Sequence, residues 1–308
     1  MTAPSLSGRA WAELLLLSLI WGGSFLAIRT ALDEIGVATS VAWRVGLAAA
    51  VLWAVVLLRR LPVPRDARSW AALAVMGLLN NLVPFSLMAW GQLTIPTGLT
   101  SILNAATAVF GVLAAALFLP DERLTPRRAA GVAVGFAGVA TAIGLGNLAS
   151  FDLRSLAQLA VVAGTVSYAL AGVWGRLRLR HLPPEVSAAG MLTASSALAI
   201  PAALWLDGPS WPAQADTWAA ILYYAVAATA VAYLLYFRVL ATAGSGNLLL
   251  CTLLVAPVAI ALGATVRGEA LAPNAFAGFA LLALGLAILD GRPWRALTGR
   301  MARATGRG

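Results

Sequence analysis

The segment Pro120-Asp-Glu-Arg-Leu-Thr-Pro126 returns in altered form as Arg267-Gly-Glu-Ala-Leu-Ala-Pro273, 147 residues further on. At that single offset the chain aligns with itself without a gap. Arg29 falls on Arg176, Ser40 on Ser187, Pro62 on Pro209, Leu93 on Leu240, Gly131 on Gly278 and Gly138 on Gly285. Alanine and leucine matches carry little weight in a chain that is 61% hydrophobic. Glycine, proline and glutamate matches at one fixed spacing mark an internal repeat.

Around the repeat, apolar windows fall at 11–29, 37–58, 69–90, 97–118, 127–145, 155–175, 186–206, 215–238, 246–266 and 273–289. Each is close to the ~20 residues needed to cross a ~30 Å hydrocarbon core. The first is too long for a signal-peptide core and is read as a retained helix. Ten spans leave only short connections and tails, so no extramembrane domain fits. The fold expected is an all-α integral membrane protein of ten transmembrane helices. Each repeat holds five spans, an odd number, so the second copy enters the membrane inverted. The expected units are 1–147, 148–295 and a cytoplasmic tail at 296–308.

Charge sets the orientation. All 21 basic residues are arginines. Seventeen lie on the side of the N-terminus: Arg9, Arg59, Arg60, Arg65, Arg68, Arg123, Arg127, Arg128, Arg176, Arg178, Arg180, Arg238, Arg292, Arg295, Arg300, Arg303 and Arg307. The opposite side holds Arg29, Arg154 and Arg267. The positive-inside rule puts both termini in the cytoplasm of a bacterial-type inner membrane. Because the net charge of +9 arises in membrane loops, it does not point to nucleic acid.

Several chemistries lack residues. The chain has one cysteine, Cys251, and one histidine, His181, too few for a zinc or thiolate cluster. There is no phosphate loop and no paired carboxylate, so no enzyme activity, metal or cofactor is expected. No Asp or Glu lies in the middle third of any span, which removes the usual proton relay and favours facilitated movement.

Polar residues within the spans are the candidate binding groups. Asn80 and Asn81 fall mid-span, and Pro84 removes the hydrogen bond due to the Asn80 carbonyl. The alternative for the amides is an interhelical hydrogen bond that only holds the bundle. Thr100, Asn104 and Thr107 share a face of the fourth span, with Ser101 beside them. Trp21 and Tyr168 are repeat partners, both mid-span, able to stack on an apolar substrate or simply to pack. Tyr233 reaches the same depth from the eighth span. Arg44, whose repeat partner is Met191, either snorkels to the outer headgroups or anchors a substrate carboxylate. The Gly131, Gly135 and Gly138 face is expected to pack the fifth helix within its own repeat, with a dimer contact as the alternative to a monomer.

The first helix, Leu19-Ile-Trp-Gly-Gly-Ser-Phe-Leu-Ala-Ile-Arg29, the glutamate-bearing turns and the glycine-spaced helix Gly131-Val-Ala-Val-Gly-Phe-Ala-Gly138 resemble the drug/metabolite transporter superfamily, in its ten-helix EamA-type branch. The likeness covers about 10–290. It implies alternating-access export of small metabolites, notably amino acids including aromatic ones, with lipid as the only other partner. By the same resemblance Trp21, Asn80, Asn81, Thr107 and Tyr168 line a central cavity. A flippase for lipid-linked sugars on the same fold and an integral membrane lipid enzyme are the competing functions. A nonselective channel is disfavoured, because mid-span aromatics would plug it.

Overall fold

The computed structural model describes residues 8–120, 122–144, 153–243 and 245–290. Among them there are ten helical rods and no strand. They are α1 (Gly8–Ala31), α2 (Val37–Leu58), α3 (Ala67–Gln92), α4 (Thr97–Phe118), α5 (Pro126–Ile143), α6 (Leu153–Arg178), α7 (Pro184–Leu206), α8 (Ala215–Ala243), α9 (Ser245–Arg267) and α10 (Pro273–Asp290). In lipid a chain must satisfy its backbone groups internally, and helices do so within one segment. Seven rods, α1 to α4 and α6 to α8, are long and apolar enough to cross a membrane. Shorter apolar stretches, Leu254–Arg267 and Pro273–Leu289, lie in α9 and α10. The sequence windows matched the rods to within a few residues; the tail at 296–308 lies outside the described residues.

Helix starts follow local chemistry. Asp66 caps α3 by accepting from the Ser69 amide at 2.7 Å. Thr125 accepts from the Arg128 amide, and Pro126 occupies the first turn of α5, where its missing N–H costs nothing. The start of α2 is capped from far along the chain, where Asp207 accepts from the Thr39 amide at 2.7 Å. Gly36 makes that possible, since a methyl there would collide with the Asp207 carboxylate.

The long pairings run α2 along α7 and α5 along α10. The others come in related sets: α1 with α9 and α6 with α4, α1 with α8 and α6 with α3, α2 with α8 and α7 with α3. The Gly131–Gly138 face packs only in part among the first five helices, where Gly135 meets Val109 of α4. Gly131 and Gly138 lie against α10: a methyl at Gly138 would fall 2.6 Å from the Leu282 nitrogen, and one at Gly285 would fall 2.7 Å from the Gly135 nitrogen. Glycines on both helices allow backbone contact too close for any side chain.

Two helices depart from α geometry at matching places. Leu78–Leu82 in α3 and Tyr223–Val231 in α8 are wound as π-helix. Shifted by the 147-residue repeat, the first segment falls inside the second. In the π register Pro84 cannot donate to the Leu79 carbonyl, and Ser167 Oγ donates there instead at 2.7 Å. The carbonyl found with a new partner is thus that of Leu79; the expectation had been Asn80.

Candidate substrate site

The middle of α3 meets α7 and α8 through side-chain amides. Asn81 is fully buried; its Oδ1 accepts from the Tyr233 hydroxyl at 2.8 Å and its Nδ2 donates to Ser195 Oγ at 3.2 Å. Ser195 Oγ in turn donates to the Gly77 and Met191 carbonyls, at 3.0 and 2.8 Å. Asn80 is half-buried and donates to the Tyr233 oxygen at 3.1 Å. Asn81 therefore does hold the bundle, while Asn80 and Tyr233 keep exposed surface beside it.

Arg44 stands against this group. Its Nε donates to Thr229 Oγ1 at 2.9 Å, and its guanidinium lies 3.7 Å from the centre of the Phe85 ring. Thr229 is held by donating to the Tyr224 carbonyl at 2.7 Å, five residues back in the π-wound segment. Tyr168, Tyr233 and Tyr224 are the groups within electrostatic reach of the arginine. Snorkelling is thereby replaced by contacts that turn the head inward. Arg44, Tyr168, Tyr233 and Asn80 are each half-buried, and the arginine and the two tyrosines lie within electrostatic reach of one another. No carboxylate pairs with Arg44 among the described residues.

The remaining sequence candidates fall elsewhere. Trp21 donates from Nε1 to the Ala228 carbonyl at 3.2 Å, on the π-wound segment of α8, and lies 6.0 Å from the Tyr236 ring. No ring contact joins it to Tyr168 among the described residues. Ser101 is fully buried and donates to the Gly98 carbonyl at 2.9 Å, and Thr107 donates to the Asn104 carbonyl at 2.8 Å. That bond spans the turn at 105–106 where α4 is interrupted, leaving Asn104 and Thr107 half-buried. Thus Arg44, Asn80, Asn81, Tyr168 and Tyr233 form one cluster on α2, α3, α6 and α8. Trp21 borders α8 separately, and Ser101, Asn104 and Thr107 line α4.

Thr229, Phe85 and Ser195 escaped the sequence reading. Threonine and serine at these places look like ordinary small helix residues, and only the π winding and the approach of α7 give them their partners.

Comparison with known proteins adds identity. The model of the EamA-like transporter family matches residues 8–144 and again 155–289. A probable terminal-alkyne amino-acid exporter of Streptantibioticus cattleyicolor is 30% identical over 290 residues, covering 93% of this chain and 95% of that protein. An uncharacterized transporter of Archaeoglobus fulgidus is 28% identical over 79% of this chain and 83% of its own. A crystal structure aligns with a TM-score of 0.65 at 24% identity, over 91% of this chain and 96% of that one, a likeness of fold.

Proposed function

The chain belongs to the EamA-like transporter family, and on that premise we propose that it exports amino acids, aromatic ones included, and similar small metabolites across a bacterial-type inner membrane. All ten helices span, as two inverted five-helix repeats over 1–147 and 148–295, with both termini in the cytoplasm. Three things support the inverted arrangement: the gap-free 147-residue self-alignment, the two successive family matches, and helix pairings that exchange when α1–α5 are replaced by α6–α10. The relative named as an amino-acid exporter supports the substrate class.

The observation that carries the reading is Arg44 turned inward among Tyr168, Tyr233 and Asn80. Guanidinium suits a carboxylate through paired hydrogen bonds. The tyrosine rings offer faces for an apolar side chain. Asn104, Thr107 and Ser101 on α4, and Trp21 on α1, complete the walls as the repeats rock about the site. Movement is facilitated, because no carboxylate lies mid-span to carry a proton.

Counterflow tests this. Liposomes holding the purified protein and unlabelled amino acid should take up labelled amino acid transiently, with no pH difference imposed. Protein-loaded liposomes that behave like protein-free ones for every amino acid tried would overturn the reading.

A further inference from the structure

We infer that the site selects carboxylates with a net charge of −1, such as α-keto acids, over zwitterionic α-amino acids, and that export is driven by the membrane potential. This rests on the transporter reading above and reorders its cargo, placing monoanionic small metabolites ahead of the amino acids.

Arg44 keeps its proton under all ordinary conditions. Its neighbours are a threonine hydroxyl, a phenyl ring and tyrosine hydroxyls, all neutral. The helices that build the cluster bring no acid to it. α2, α3 and α6 contain none, Glu185 stands in the first turn of α7, and Asp216 stands in the first turn of α8. Asp216 is thirteen positions from Thr229, or about 20 Å along the helix. Glu185 already pairs with Arg59 at 3.0 Å.

An uncompensated cation in a medium of low dielectric is costly, and a bound anion offsets that cost directly. A monoanion leaves the loaded site neutral. A zwitterion brings its own ammonium, which needs a counter-ion the interior does not supply. The nearby Asn81 oxygen already accepts from the Tyr233 hydroxyl at 2.8 Å and from the Asn80 amide at 3.5 Å, one donor for each lone pair. The cluster is therefore complementary to one negative charge beside an apolar or aromatic group.

The charge of the cargo also supplies a driving force. Carrying one negative charge outward across an inside-negative membrane of about 100 mV yields an equilibrium ratio of about 50-fold. No proton relay is required, which accounts for a transporter core with an arginine and without a mid-span carboxylate.

The test compares phenylpyruvate with phenylalanine, which share a side chain, in liposomes of purified protein under a potassium–valinomycin potential. With the lumen positive by about 100 mV, phenylpyruvate should accumulate about 50-fold, and should not in protein-free liposomes. Phenylalanine should enter more slowly, with no response to potential. Arg44→Gln should abolish phenylpyruvate uptake. Arg44→Lys, which keeps the charge, should retain the voltage response at a reduced rate and shows that the fold survives substitution there. Phenylalanine moving as fast as phenylpyruvate, or phenylpyruvate uptake indifferent to potential, would overturn the inference and leave the transporter reading intact. Failure of both compounds and of every amino acid in counterflow would overturn both.

Discussion

Arg176, at the end of α6, donates to Glu122 at 3.0 Å and so fastens the second half of the chain to the turn between α4 and α5. Arg128 holds the other carboxylate oxygen at 2.7 Å. The repeat counterparts are arranged differently. Arg29, which matches Arg176, is held by Asp33 at 2.7 Å, as is Arg267. Glu269, which matches Glu122, accepts from Thr97 at 2.7 Å through one oxygen, while the other is buried with no hydrogen-bond partner among the described residues.

If the two halves exchange conformations during transport, Arg29 should meet Glu269 when the outer side closes, as Arg176 meets Glu122 here. In a Cys251→Ser background, the pair Arg29→Cys and Glu269→Cys should cross-link during turnover and little at rest. The pair Glu122→Cys and Arg176→Cys should cross-link at rest and stop transport. Failure of the first pair under all conditions would show that the outer side closes by another contact.

The Glu122 tie has a pH limit. The Arg128 hydrogen bond is the main force holding its carboxyl below the ordinary value; burial opposes this, and Arg176 adds to it. A lowered folded value means the tie contributes above the ordinary carboxylate range and is lost as pH falls through the lowered value. Amide protection of 122–128, corrected for the intrinsic exchange rate, should hold from neutral pH down to about pH 4 and fall below it. In Glu122→Gln the exchange should already be raised at neutral pH.

Asn81→Ala should destabilise the protein by about 1–3 kcal/mol, since it removes the acceptor of the Tyr233 hydroxyl and the donor to the buried Ser195 oxygen at once. Thermal unfolding in detergent reads this directly. Trp21→Phe, which keeps a ring and loses the bond to the Ala228 carbonyl, should cost only about 0.5–1.5 kcal/mol. Equal losses would mean that Asn81 is not the structural member of its pair.

Much of this was legible in the residues. The apolar windows marked the ten helical rods, and the glutamate-bearing turns with the glycine-spaced helix marked the family. The π winding was not legible, because a change from i+4 to i+5 hydrogen bonding leaves no mark in composition; Thr229 was missed for that reason. The spacing of Arg44 allowed either snorkelling or an inward turn, and only Thr229 and Phe85, from distant parts of the chain, decide between them. The Gly131–Gly138 stripe showed how closely a partner could approach, and was silent on which helix that partner is.

Gly285→Leu should be severely destabilising, because even a methyl would sit 2.7 Å from the Gly135 nitrogen. Gly172→Ala, where a methyl meets nothing within 4 Å, is the control that should unfold normally. Similar unfolding temperatures would mean that α5 and α10 separate at little cost.

The central claim is one interior site reached alternately from the two sides of the membrane, and Asn80 tests it best. With Asn80→Cys in a Cys251→Ser background, reconstituted in one orientation, a membrane-impermeant thiol reagent is applied first to one face and then to the other. The account predicts reaction from each face, with substrate protecting the thiol and an outer-side cross-link suppressing reaction from that side alone. Reaction only with lipid-soluble reagents, or reaction from both faces regardless of which is locked, would contradict it.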